Sequence, residues 1–342
     1  MTRSRSPIGL DFGEHAVRAV QLERRGERVQ LRAANAHRID GGPAAAADRR
    51  TGLIAAGRQA LRDRRFCGRS AVVALRLTDV VTRHVRLPTE QLDQASEKIA
   101  RQVQDQAAEG VALSICPIPV ADLFDQGERK REFLCCVATA DAIQELLEVT
   151  EALGLTPEAI DLEPCAQVRP YLHRAQKESF LHLDIGSCST RITVVRAGSP
   201  ALMRTAPIGG DLLVQRLEAR LQMDLATILD LGAGPDEGQA LLHGAITDAL
   251  AEPLEEILHR VAAGVRYCGA LFQGRAVTLM RVSGAIAPLP GLVPYLGRRI
   301  GITAELADPM AGIDASPAHT SRRGFPTGYD TAIGLALRGL EP

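Results

Sequence analysis

The chain has no Trp, and aromatic residues make up only 3% of its 342 positions. Hydrophobic residues still account for 46%, so Ala, Val, Leu and Ile must fill the interior. Lysine occurs only at Lys98, Lys130 and Lys177, and arginine supplies the rest of the 40 basic side chains. These arginines are scattered along the whole chain, the net charge is -1 and the pI is about 6.7. That balance excludes a bulk electrostatic surface for nucleic acid. No C-x-x-C spacing occurs among Cys67, Cys116, Cys135, Cys136, Cys165, Cys188 and Cys268. A zinc ribbon and a thioredoxin-type site are therefore not expected. Most of these cysteines have apolar neighbours, as in Phe133-Leu-Cys-Cys-Val137, and read as small buried hydrophobes in a reducing compartment. No uncharged apolar run reaches the roughly 18 residues that a membrane helix needs. The N-terminus carries Arg3 and Arg5, but Asp11 interrupts too soon for a signal peptide. The expectation is a cytoplasmic protein whose membrane role, if it has one, runs through a partner.

What is present suits more than one domain. The opening reads strand, turn, strand: Ile8–Leu10, then Asp11-Phe-Gly13, then Ala16–Leu22, with a third strand at Val29–Arg32. Residues 41–48 read as a loop, followed by a helix with Leu53, Gly57, Ala60 and Leu61 on one face. Strands at Ala71–Leu75 and Val80–Leu87 precede a helix bearing Leu92, Ala95, Ile99 and Val103, with Thr89 as its N-cap. The charged segment Asp125–Glu132 reads as a hairpin tip or loop ahead of a strand ending at Ala138. A helix with Ile143, Leu146, Leu147, Thr150 and Leu153 inward then stops at Gly154. The second half carries strands at Phe180–Leu183, Arg191–Val195 and Ala201–Ile208, and a helix opened by Gly209-Gly210-Asp211. A long helical stretch over Ile246–Phe272 contains Pro253, a candidate break. A strand over Arg275–Val282, a short helix within Pro288–Ile300 and an Ala-rich terminal helix over Thr327–Gly339 complete the reading.

Internal similarity carries the functional argument. Ile8-Gly-Leu-Asp11-Phe-Gly13 and Leu181-His-Leu-Asp184-Ile-Gly186 share one form, half the chain apart. Each is an apolar strand, then Asp-apolar-Gly, then small or polar residues, then a returning strand. Such a turn points backbone N–H groups at phosphate oxygens, and its Gly permits close approach. Asp11 and Asp184 are placed to hold the water shell of Mg²⁺. Ser187, Ser189 and Thr190 add hydroxyls to the second turn, whereas Glu14 puts a carboxylate into the first. His15, His84 and His182 alternate with apolar residues and read as strand-surface or satisfied core residues. Arg18 and Arg191 follow the two turns in similar positions and read as solvent-facing.

The paired turns resemble the phosphate signatures of the actin/sugar-kinase/heat-shock-chaperone superfamily. Within it the chain is similar to the PilM family of type IV pilus assembly. The likeness rests on Ile8–Gly13 with Val17–Leu22, Pro207–Gly210, Pro290-Gly-Leu292 with Tyr295-Leu296, Ile300-Gly-Ile302, Ala307–Gly312 and Thr331–Arg338. It spans residues 8–338. It implies an α/β, duplicated actin-like (ribonuclease-H-like) fold with two lobes around a nucleotide cleft. The expected partition is 1–69 and 139–178 for the first lobe, closed by 327–342, with 70–138 inserted and 179–326 as the second lobe. The resemblance further implies ATP with Mg²⁺, bound through Asp11, Gly13, Asp184, Gly186, Ser187, Thr190, Gly209, Gly210 and Gly284, the metal held through water by Asp11 and Asp184. Glu163, in Ile160-Asp-Leu-Glu163-Pro, would match the position near the attacking water. Ser283-Gly-Ala-Ile286 is similar to the adenosine-contact turn. The implied partner is a short N-terminal peptide of a PilN-like inner-membrane protein, which keeps the chain peripheral at that membrane; self-association stays open. Glu14-His15 replaces a Ser-rich turn, and Ala285 replaces a second Gly, and both weigh against nucleotide affinity and more so against hydrolysis. Four readings compete with this one: a nucleotide-free interaction platform, a type II secretion GspL-like component, a filament-forming cell-division relative, and a small-molecule kinase. The last lacks a sugar-kinase Asp motif, and a membrane-binding tail of the FtsA type is missing from Leu335–Pro342.

Overall fold

The computed structural model describes residues 3–40, 46–105, 112–125, 127–232, 239–272, 277–315 and 328–340. Its first sheet starts as an antiparallel meander, β2 (Ile8–Phe12), β3 (Ala16–Arg25) and β4 (Arg28–Arg38), with β1 (Arg3–Arg5) laid on the end of β3. The alternation of apolar residues that marks these strands continues well past the short segments expected, because β3 and β4 stay paired from Ala16 with Arg38 to Arg25 with Arg28. On the other side of β2 lie two parallel strands, β5 (Ser70–Leu75) and β9 (Thr156–Leu162). The main path is thus β4-β3-β2-β5-β9.

The second sheet repeats that order. The strands β10 (Phe180–Ile185), β11 (Thr190–Arg196) and β12 (Ser199–Ala206) form the meander, and β13 (Leu279–Gly284) and β14 (Thr303–Leu306) run parallel to β10. Its path is β12-β11-β10-β13-β14. The duplication read from two short motifs therefore extends to whole sheets.

Strands β2 and β10 are buried along their length, because helices cover both faces. In the first lobe, Leu10 and Phe12 pack on Leu53, Ala56 and Ala60 of α1 (Ala46–Ala60). On the opposite face, Val20 and Leu22 pack on Ala332, Ile333 and Ala336. These belong to the terminal helix, and a second helix, α4 (Glu163–Arg174), lies against it. A methyl group at Gly334 would run into the Ala166 carbonyl, so Gly334 sets how closely the two helices approach. In the second lobe, Leu213 and Leu217 of α5 (Gly210–Leu221) pack on Ile246, Leu250 and Leu254 of α7 (Gln239–Leu271). The helix α7 runs through Pro253 unbroken, held by buried residues on both sides of it. Between these two helices lies α6 (Leu225–Leu231), a short helix too weakly patterned to be expected; it is capped by Asp224, whose carboxylate accepts from the Thr227 N–H.

The inserted block is a three-stranded antiparallel sheet, β6 (Val81–Pro88), β8 (Glu128–Thr139) and β7 (Leu113–Asp125), in that order. One face is covered by α2 (Ala95–Gln104), where Ile99 and Val103 meet Val85, Phe133 and Val137. The other face, with Leu134 and Cys136, reaches Met203 of the second lobe.

Three expectations need correction, and one strand had none. Ala71–Leu75 was placed in the insertion, but as β5 it pairs with β2 and β9 and belongs to the large sheet. Leu113–Asp125, for which no element was expected, is a strand although it contains Pro117 and Pro119. As an edge strand it needs no N–H from either proline on its outer side. The chain also returns to the first lobe before the closing helix α9 (Asp330–Arg338), because β15 (Ile313–Asp314) pairs with β4. The loop read over 41–48 is helical from Ala46, and 41–45 lies outside the described residues. The helices α3 (Ala140–Ala152) and α8 (Leu292–Ile300) lie in their expected places.

Candidate functional site

The two Asp-apolar-Gly turns face each other across one cleft. It takes in about 740 Å³ including its open side, and Asp11, Gly13, Asp184, Gly186, Ser187, Gly284 and Glu163 all line it. The remaining expected residues stand behind the wall. Thr190 is buried and its hydroxyl donates to the Ile208 carbonyl at 2.7 Å. The Gly210 N–H donates to the Gly186 carbonyl at 2.6 Å, and the Asp211 N–H to the Ser187 carbonyl at 2.9 Å. Gly209 and Gly210 thus fix the second turn onto the start of α5 rather than meeting the cleft. Ser189, read as a hydroxyl donor to the cleft, is buried too. Gly284 has φ +103, and a side chain there would strike the Ile185 backbone.

Antiparallel pairing gives both turns a partner that the sequence reading placed in solvent. Arg18 sits opposite Asp11 in the β2/β3 register, and Arg191 opposite Asp184 in the β10/β11 register. In each case the spacing is D-x-G-x₄-R, and the hairpin brings its two ends side by side. Both arginines turn into the cleft instead of facing solvent. The shared spacing is visible in the sequence, but only the hairpin register shows that both side chains point inward.

The two pairs differ in strength. Arg191 holds Asp184 through Nε at 2.8 Å and Nη2 at 2.5 Å, and its Nη1 reaches Glu163 at 3.2 Å. Ser283 Oγ and Gln167 Nε2 also donate to Asp184, at 3.0 Å and 2.6 Å. Burial acts to raise the Asp184 carboxyl, but Arg191 and the other partners outweigh it, and the net shift is downward. Arg18 approaches Asp11 only to 3.5 Å. There burial wins over Arg18 and Arg191, and Asp11 is pushed above the usual carboxylate range.

Glu163 opens α4, where a carboxylate suits the helix dipole. Both of its oxygens are engaged: Oε1 by Arg191, and Oε2 by the Leu77 N–H at 3.3 Å. Burial pushes its carboxyl up to about 7, with Asp11 and Asp184 adding to the rise and Arg191 opposing it. Asp330, at the start of α9, accepts from the Tyr171 hydroxyl at 2.8 Å, and burial pushes it up to about 7 as well. Arg76, Gln167 and Asp330 line the cleft without having been singled out in the sequence.

At the mouth, side chains of the first turn cross to the second lobe. The Cys188 N–H donates to Glu14 Oε2 at 2.9 Å, so this carboxylate takes the amide that a phosphate oxygen would use. His15 Nε2 lies 2.6 Å from Asp211 Oδ2. The other two histidines behave differently from each other. His84 Nδ1 pairs with the buried Glu132 at 2.7 Å, where Arg86 and Tyr267 also donate. His182 is fully buried with neither ring nitrogen partnered, which departs from the satisfied core residue expected; burial pushes it down to about 4. Among the cysteines, Cys135, Cys136 and Cys268 are buried as read, whereas Cys116 and Cys188 are exposed.

Two sheets of one strand order, closing on a cleft between paired Asp-apolar-Gly turns, define the actin-like α/β fold. The sequence profile of the family described as type IV pilus assembly protein PilM matches residues 9–340. The chain belongs to that PilM family. Its structure is similar to the PilM–PilN type IV pilus biogenesis complex, with TM-score 0.77, 22% identity, and 98% of this chain and 99% of that one covered. It is also similar to the ethanolamine utilization protein EutJ from Carboxydothermus hydrogenoformans (TM-score 0.56, 14% identity, 98% and 90% covered). A third likeness is to MreB 5 of Spiroplasma citri bound to AMPPNP (TM-score 0.52, 10% identity, 96% and 94% covered). At these identities the solved structures speak for the fold alone. No curated protein matches the chain in sequence. Among the described residues, no helix is long and apolar enough to cross a membrane.

Proposed function

We propose that this actin-like type IV pilus assembly protein is a nucleotide-responsive scaffold that binds adenine nucleotide in its cleft and grips a short peptide of a PilN-like inner-membrane protein. The carrying observation is the meeting of both Asp-apolar-Gly turns, with Arg18, Arg76 and Arg191, on one cleft. Arg18, the least tightly paired of the three, and the turn amides suit a polyphosphate, while Asp79 holds Arg76 and Asp184 with Glu163 hold Arg191. Gly284 and Ala285, in the turn where the base and ribose would sit, line the same cleft. The partner reading is supported by family membership and by likeness to a complex that contains PilN. Such a partner would hold the chain at the cytoplasmic side of the inner membrane.

Magnesium fits less well. Asp11 and Asp184 are each paired with an arginine, and Arg191 bridges Asp184 and Glu163 where a cation would sit. Each oxygen of Glu163 already faces one donor, Arg191 or the Leu77 N–H, which ties the carboxylate to the protein frame instead of leaving it free for a water. The reading is therefore binding without efficient hydrolysis, with guanidinium groups in the role of the metal.

A second reading, an interaction platform without nucleotide, is favoured by Glu14 alone, whose carboxylate occupies the Cys188 amide. Calorimetric titration with AMPPNP, with and without Mg²⁺, separates the two. Saturable binding that persists in EDTA, weakens in Arg18→Met and tightens about tenfold in Glu14→Ala is expected; tenfold corresponds to about 1.4 kcal/mol, near the value of one charge-assisted contact. No binding to folded wild type or to Glu14→Ala would leave the platform reading.

A further inference from the structure

We propose that His15, Cys188 and Asp211 form a binding site for a borderline divalent cation of the Zn²⁺ type, tying the two lobes together at the mouth of the cleft. Their ligand atoms all lie within 4.8 Å of one another. His15 Nε2 and Asp211 Oδ2 are 2.6 Å apart, and Cys188 Sγ is 4.0 Å from the same oxygen. The three residues come from three separate segments: the turn after β2, the turn after β10, and the first turn of α5.

The donor set selects the metal class. Imidazole, thiolate and carboxylate together suit Zn²⁺ and its neighbours, whereas Mg²⁺ and Ca²⁺ take oxygen donors. Three protein ligands leave a fourth tetrahedral position. Glu14 is close by, its carboxylate held on the Cys188 N–H at 2.9 Å, and either that group or a water would complete the shell. Zinc bonds run to about 2.0–2.3 Å, so the His15–Asp211 pair would open by less than about 1 Å to admit the ion. Asp211 and Cys188 are exposed side chains and can make that adjustment.

The backbone beneath the site is already fixed. The Asp211 N–H is bonded to the Ser187 carbonyl and the Gly210 N–H to the Gly186 carbonyl, so Cys188 and Asp211 keep their spacing without the ion. Binding would then order only side-chain torsions. None of the three ligands takes part in the Asp11–Arg18 or Asp184–Arg191 pairs, so the proposal does not rest on nucleotide binding.

The test is titration of the chelator-stripped full chain with Co²⁺ and then Zn²⁺, with no nucleotide present. The expected result is one equivalent of Co²⁺ with tetrahedral visible bands and a near-ultraviolet thiolate charge-transfer band, both displaced by Zn²⁺. Cys188→Ser should lose the charge-transfer band. His15→Ala and Asp211→Asn should weaken affinity by on the order of 100-fold, the upper end of what a metal's supporting residues contribute. Cys116→Ser, which changes the other exposed cysteine, should behave as wild type, and circular dichroism confirms that each variant is folded. No stoichiometric binding by folded wild type would overturn the proposal, as would a thiolate band that survives in Cys188→Ser.

Discussion

The Asp11 and Asp184 turns have the same frame and opposite electrostatics. Both place an aspartate at the end of a buried strand, and both oppose it with an arginine seven residues on. Yet the carboxyl of Asp11 lies above its ordinary range and that of Asp184 below it. Distance and company decide the difference. Arg191 touches Asp184 with two nitrogens and is joined by Ser283 and Gln167, whereas Arg18 stands 3.5 Å from Asp11. Desolvation costs each carboxylate several kcal/mol, and only the second turn supplies enough donors to offset it. Arg191 also reaches across to Glu163 at the start of α4 in the first lobe, so it compensates two buried carboxylates at once.

This contrast breaks most readily at Arg191. Arg191→Met should destabilise the protein by about 3–5 kcal/mol in urea unfolding, because it leaves Asp184 and Glu163 buried without a counter-charge. Arg18→Met should cost about 1 kcal/mol or less, as befits a longer and more open pair. Equal losses would mean that the two pairs are equivalent.

The aspartates sharpen the contrast through pH. Asp184 has a lowered carboxyl, so its contribution is present above the ordinary value of 3.8 and is lost as pH falls through the lower folded value. Asp184→Asn should therefore cost about 2–3 kcal/mol at pH 7 and progressively less toward pH 3. Asp11 has a raised carboxyl, and the sign reverses: its contribution is complete below 3.8 and is lost as pH rises through the folded value. Asp11→Asn should gain on wild type as pH rises from 3 to 7. Parallel pH curves for the two variants would contradict the assigned shifts.

Glu163 gives a smaller effect. Its carboxyl rises from 4.5 to about 7, so the folded state favours the proton and stability falls as pH rises across that window. Glu163→Gln should flatten the curve there by on the order of 2 kcal/mol, read from thermal unfolding at several pH values. An unchanged slope would assign the titration to Asp330 instead. The smallest effect is expected at Glu14. Glu14→Ala removes one charge-assisted bond between the lobes, and should change stability by about 1 kcal/mol or less in the same urea assay.

The parts that were legible are local. Ile8–Gly13 and Leu181–Gly186 announce themselves because a strand, a tight turn and a returning strand each leave a short periodic trace. Leu53 and Ala60 were readable as inward positions for the same reason. The strand β7 was not, since Pro117 and Pro119 are tolerated only because it lies at an edge, and edges are a property of the sheet. The two-residue strand β15 is too short to leave any period. Arg18 and Arg191 were visible as a repeat, but their direction followed from register and burial.

By itself the sequence determined the duplication, the strand-turn-strand frames and the apolar faces of the helices, because each depends on spacings within a few residues. It also determined which residue types were at hand, including the Glu14-His15 turn and Cys188. Tertiary structure decided that β5 joins the large sheet, that the Asp11 and Asp184 carboxyls shift in opposite directions, and that Arg191 and the Leu77 N–H meet Glu163. It alone brought His15, Cys188 and Asp211 to one point. The reason is physical: Coulomb energy, desolvation and ligand geometry depend on distances through space, and folding sets those distances for residues that lie far apart along the chain.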